Sequence, residues 1–102
     1  MTEAADITDN TDAHRYELPV GGDMAVVTYN LSGRNLMITE TLVPVALEGQ
    51  GIASRLASHV LNDARTRNLL VLPVCPFFLS WLQKHPEHAE AVHPTYRGIL
   101  GI

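Results

Sequence analysis

The stretch Ala46-Leu47-Glu48-Gly49-Gln50-Gly51-Ile52-Ala53-Ser54-Arg55-Leu56 decides the fold. Two glycines bracket Gln50 between a β-rich segment and a helical pattern. From Gly51 to Asn68, apolar residues recur at Ile52, Ala53, Leu56, Ala57, Val60, Leu61 and Ala64. Arg55, Ser58, Asn62, Arg65 and Arg67 occupy the other side, so the segment predicts an amphipathic helix. The first amides of a helix have no internal acceptor, and its dipole adds about half a positive charge there. Glycines let the backbone approach an anion without obstruction by a Cβ. The loop is therefore either a phosphate cradle or a plain tight turn from strand to helix. No Lys-Ser/Thr pair follows, which excludes a P-loop. A dinucleotide fingerprint is a poor match, because no third glycine and no distal acid fit.

Upstream of this loop, three segments read as strands. His14–Val20 alternates Tyr16, Leu18 and Val20 with polar residues or proline; 24–31 is rich in β-branched and aromatic residues; and 36–44 ends at Pro44. Turn signals at 21–23 and 32–35 separate them, which predicts an antiparallel meander. Downstream, the apolar run 69–74 reads as a buried strand reached by a helical crossover. Residues 76–85 begin with proline at the first helical position and stop at Pro86, predicting a second helix whose apolar stripe is Phe77, Phe78, Trp81 and Leu82. The last stretch, VHPTYRGILGI, is expected to add a short edge strand. The order β-β-β-α-β-α predicts a mixed α+β fold with helices on the faces of a sheet.

Composition bounds the function. The 102 residues suffice for one domain with a single core. Of the 11 acidic residues four (Glu3, Asp6, Asp9 and Asp12) lie in 1–13, leaving seven acidic against seven basic elsewhere. The tail 1–13 is expected to be flexible and 14–102 to form the domain. A near-neutral body lacks the basic footprint of a nucleic-acid binder, so no nucleic-acid partner is expected. A lone cysteine, no signal-peptide pattern and no apolar run of about 20 residues predict a cytoplasmic protein without a membrane partner.

The segment from Thr39 to His88 resembles the minimal, single-domain branch of the GNAT superfamily of acyl-CoA N-acyltransferases. That branch shows a strand ending in His-Thr-x-Val-Pro, a leucine and a Gly-x-Gly-[Ile/Val]-[Ala/Gly] loop opening a helix. A Cys-Pro-[Phe/Tyr] strand end and a helix ending His-Pro-Glu-[Tyr/His] complete it. The corresponding residues here are Glu40-Thr41-Leu42-Val43-Pro44, Leu47 to Ala53, Cys75-Pro76-Phe77 and His85-Pro86-Glu87-His88, and the match extends from about Tyr16 to about His88. The resemblance implies a GNAT-like fold with splayed central strands, acetyl-CoA as cofactor, and acetyl transfer to a small-molecule or peptide amine. It implies that the amides of Gly49, Gln50, Gly51, Ile52 and Ala53 hold the pyrophosphate. The pantetheine arm would run between strands 36–43 and 69–74, with Leu42, Val43, Cys75 and Pro76 lining it. Pro73, awkward in a central strand, fits a place where the neighbouring strands part.

Two departures stand out. Glu40 occupies the motif's histidine position; a glutamate can serve as general base where burial raises its pKa, or it can be an ordinary solvent-facing strand residue. Glu48 stands where many such loops carry Arg or Gln, and is not assigned as a ligand. Cys75, at or near the N-cap of the second helix, has three candidate roles: nucleophile, hydrogen-bond donor to the departing thiolate, or packed core residue. Cys75 and Glu40 are thus the candidate catalytic residues. His85, His88 and His93 with one thiol do not make a convincing zinc set, and no metal is expected. A CoA-binding or interaction module without turnover is the alternative, favoured by Glu40.

Overall fold

The computed structural model describes residues 7–102. Five strands form one sheet in the order β1-β2-β3-β4-β5: β1 (Thr8–Asn10), β2 (Arg15–Val20), β3 (Asp23–Ser32), β4 (Asn35–Leu42) and β5 (Leu70–Pro73). The first four run antiparallel, and β5 lies parallel to β4. A parallel neighbour requires a crossover, which α1 (Ile52–Thr66) supplies. Helix α2 (Pro76–Lys84), a 3-10 turn at Pro86–Ala91 and α3 (Pro94–Leu100) complete the chain. No helix of the described residues is long and apolar enough to cross a membrane.

The core follows from the two periodicities. Tyr16, Leu18, Ala25, Val27, Leu36 and Ile38 share one face of the sheet, nearly solvent-free. The α1 stripe Leu56, Ala57, Val60, Leu61 and Ala64 covers that face. Tyr16 buries its phenol and still meets a partner, donating to Asp63 Oδ2 at 2.7 Å. Burial and the adjoining carboxylate push that phenol far above its ordinary pKa, so it stays a neutral donor. Helix α2 packs against α1, where Trp81 Nε1 donates to Ser54 Oγ at 2.9 Å.

Two expectations need correction. The tail expected over 1–13 is in part a strand: β1 pairs with β2 through Thr8↔Glu17, Asp9↔Tyr16 and Asn10↔Arg15. Its acidic and amide side chains are partners rather than a solvated charge run. Asp9 accepts from Tyr29 Oη and from Arg67 at 3.1 Å, and Asn10 donates to Glu17 at 3.0 Å. The expectation for residues 1–6 lies outside the described residues. The C-terminal stretch is not an edge strand. Only Val92 bridges to β5, opposite Val71; Pro94 then opens a helix, His93 Nδ1 accepts from the Thr95 amide, and Gly101 ends it.

The β3–β4 ladder carries one irregularity. Thr28 pairs with Glu40 and Tyr29 with Ile38, so Thr39 is an extra residue on β4, a β-bulge. Beyond it, Thr41 lies opposite buried Val27, on the face covered by α1. Glu40 lies opposite Thr28 and is exposed.

Candidate active site

Strands β4 and β5 stay in register from Asn35↔Leu70 to Ile38↔Pro73 and then part. At the fork, the amides of Val74 and Cys75 both donate to Ile38 O, at 3.1 and 3.0 Å. β5 ends there, while β4 continues to Leu42. Pro73 thus sits at the last paired position, where its missing N–H interrupts no further ladder.

The chain leaves β4 through a 3-10 turn at Val45–Leu47 and reaches α1 through Glu48-Gly49-Gln50-Gly51. Gly49 and Gly51 have φ of 82° and 75°, the left-handed region that side chains with a Cβ rarely adopt. Nothing lies within 4 Å of where a Cβ would stand on either glycine, so the approach to the backbone is open. Gly51 is the N-cap and brings no side chain to the helix. Among the described residues, the amides of Gly49 through Ser54 donate to no protein acceptor. This row of unsatisfied donors at the positive end of a 15-residue helix suits a diphosphate. Next to it opens a cavity of about 350 Å³, walled by Val43, Leu47, Gly51, Ile52, Ala53 and Phe77. Glu48 is the one acidic residue on its rim and is exposed, so water and salt screen its charge. The donors, the open backbone and the apolar wall fit the pyrophosphate and arm of CoA.

A second cavity, about 370 Å³, lies against Met24, Thr41, Leu42, Val43 and Pro44. Val43 lines both. Of the residues expected from sequence, the structure gathers Val43, Gly49, Gly51, Ile52 and Ala53 around the first cavity, and Leu42 with Val43 around the second. Gln50 and Pro76 are exposed beside them and line neither. Glu40 is likewise exposed and lines neither, on the sheet face away from α1.

Cys75 is the N-cap of α2 and only 4 % exposed. Its Sγ lies 3.3 Å from Thr41 Oγ1, across the fork. Pro76 at the first helical position starts α2 immediately after it. The pair Thr41–Cys75 escaped the sequence reading, since the two residues stand 34 positions apart and only the fork brings them together. Phe77, read as core, is half-buried and turned to the cavity wall, whereas Phe78 and Trp81 are buried as expected.

The histidines serve the α2 end of the domain. His85 and His88 both stack on the Trp81 indole, with ring centroids 3.9 and 5.3 Å away, and His85 Nδ1 donates to Trp81 O at 2.8 Å. Burial holds His88 below the ordinary 6.5, with His85 and Arg65 adding to the effect and Glu87 opposing it. A histidine depressed in the folded state binds fewer protons there than in the unfolded chain, so its stabilisation is present above its unfolded pKa and is lost as the pH falls through it. Tm is therefore expected to fall between about pH 7.5 and about pH 5, and His88→Gln to flatten that slope. Thermal melts across this range check it; an unchanged slope in the variant would contradict the assignment.

A family model described as GCN5-related N-acetyl-transferase matches residues 15–92, the meander, the fork, the cradle and α2 together. The chain belongs to that family, and its described residues carry the mixed five-stranded sheet described above. An acyl-CoA N-acetyltransferase-like role follows, and acetyl-CoA is the cofactor typical of the family. No curated protein matches the chain.

Proposed function

We propose that the chain transfers an acetyl group from acetyl-CoA to an amine, a small molecule or a peptide, without a covalent intermediate on the protein. The observation that carries this reading is the row of unsatisfied amides from Gly49 to Ser54, opening onto an apolar cavity beside the β4–β5 fork. Gly49, Gln50, Gly51, Ile52 and Ala53 bind the pyrophosphate through backbone N–H groups. Leu42, Val43 and Pro76 flank the arm. Acetyl-CoA, when bound, supplies an activated thioester. Between Thr41 and Val43, on the part of β4 that β5 no longer accompanies, the backbone amides that point away from β3 are the donors available to a developing oxyanion.

The proton released by the acceptor amine passes to water, and Glu40, exposed on the face away from α1, is a carboxylate that receives it from solvent rather than from the amine directly. Burial of Cys75 supports a proton donor over a nucleophile, because an attacking sulfur would have to leave the core. Thr41 lines the second cavity and its Oγ1 lies 3.3 Å from Sγ. The departing thiolate therefore takes its proton from the Thr41 hydroxyl, which takes the Cys75 S–H proton in turn, and solvent reprotonates Cys75 afterwards. One observation favours a second reading, a CoA-binding module without turnover: Glu40 stands in the histidine position of the motif and is not buried.

The test combines CoA release with a panel of amines and intact-protein mass after exposure to acetyl-CoA, for wild type and Cys75→Ala. Amine-dependent release, no protein adduct, and a kcat about a hundredfold lower in Cys75→Ala at similar KM are expected. An acetyl adduct present on wild type and absent from Cys75→Ala would establish the covalent route instead. Binding without turnover for any amine would leave the module reading, and no CoA binding would sink both.

A further inference from the structure

We infer that the polar side of α1 carries a second anion subsite, one that takes the 3′-phosphate of CoA and makes the protein distinguish CoA from 3′-dephospho-CoA. The inference rests on the cradle reading above and extends it to residues that reading does not use. A cavity of about 760 Å³ lies along α1, lined by Gly51, Ser54, Arg55, Ser58, His59 and Asn62. These positions follow the helix repeat on one face, starting at the cradle glycine itself. Ser54 and Gly51 line both this cavity and the apolar one, so the two adjoin at the start of α1.

The lining has the chemistry of an anion site. Arg55 is the one Lys or Arg in any of the three cavities described, and no acidic residue lines this one. It stands one helical turn from Gly51, about 6 Å of rise, so its charge adds to that of the helix end without covering it. Among the described residues the ion pairs of the chain involve Arg15 and Arg67, and Arg55 makes none. Ser54 Oγ already accepts from Trp81 Nε1, which leaves its own O–H to donate outward. Ser58 O–H and the Asn62 amide add neutral donors further along, and His59 is held in place edge-on against Tyr16 at 5.8 Å. In the cofactor, the 3′-phosphate is one ribose away from the diphosphate, which matches a guanidinium one turn from the cradle. The Glu48 side of the loop, with its carboxylate, is the wrong side for that phosphate.

Isothermal titration of wild type and Arg55→Ala with CoA and with 3′-dephospho-CoA tests this directly, using binding rather than turnover. Wild type is expected to bind CoA roughly tenfold more tightly than dephospho-CoA, as for a hydrogen bond between charged groups. Arg55→Ala should lose that preference and keep the dephospho-CoA affinity; because Arg55 is exposed, the variant is expected to fold. Raising the salt should narrow the wild-type preference. Equal wild-type affinity for both ligands, or an equal loss for both in Arg55→Ala, overturns the subsite while leaving the cradle standing. Failure of either ligand to bind wild type overturns the cradle and the subsite together.

Discussion

Gly51→Glu is expected to lower CoA affinity by at least about a hundredfold while the circular dichroism spectrum stays native. Two effects act at one atom position. A non-glycine residue at φ 75° is strained by about 1–2 kcal/mol, which the domain survives. The space where the new Cβ stands is open, so no neighbour is displaced. What changes is the cradle: a carboxylate now projects from the N-cap itself and competes with the ligand for the free amides. Gly51→Ala separates the two, since it keeps the strain and omits the charge. Affinity unchanged in Gly51→Glu would refute the assignment of the loop.

Phe78→Ala is expected to destabilise the domain by about 3–5 kcal/mol, a Tm decrease of at least about 12 °C. Phe78 is fully buried, edge-to-face with Phe77 at 6.0 Å, and it anchors α2 in the core. Truncation removes the largest apolar side chain of α2 that has no solvent contact, and leaves a hole that Leu82 and Trp81 cannot fill without moving. Because Cys75 caps the same helix, the variant should also loosen the Thr41–Cys75 contact. Urea unfolding measures the loss; a value below about 1 kcal/mol would mean that α2 packs otherwise.

The elements legible in the chain are those that local sequence encodes. The α1 stripe, the period-two strands and the proline that opens α2 are short-range patterns, and each element appears within a few residues of its expected bounds. The loop of Gly49 and Gly51 was legible because glycine has few substitutes where φ is positive. The strand at Thr8–Asn10 was hidden, because its acidic composition resembles a solvated tail. Its partners, Tyr29 and Arg67, stand 20 and 58 positions from Asp9. Likewise α3 depends on His93 and Gly101 capping seven residues, a weaker signal than the apolar content that suggested a strand. In the site, the face of α1 bearing Arg55 and Ser58 read as a solvated surface, since nothing in its spacing reveals the hollow beside it.

The extra residue at Thr39 has a consequence for the position where the family motif expects histidine. A strand counts its sides by odd and even, and an inserted residue shifts that count by one for everything after it. Were β4 regular, position 40 would share the side of Leu36 and Ile38 and approach the thiol, and position 41 would face away. With the shift, Thr41 inherits the thiol and position 40 is handed to the open side of the sheet. Whatever residue stands at 40, imidazole or carboxylate, its side chain therefore leaves the sheet on the face away from the sulfur. A single surplus threonine thus decides which of two adjacent residues meets Cys75.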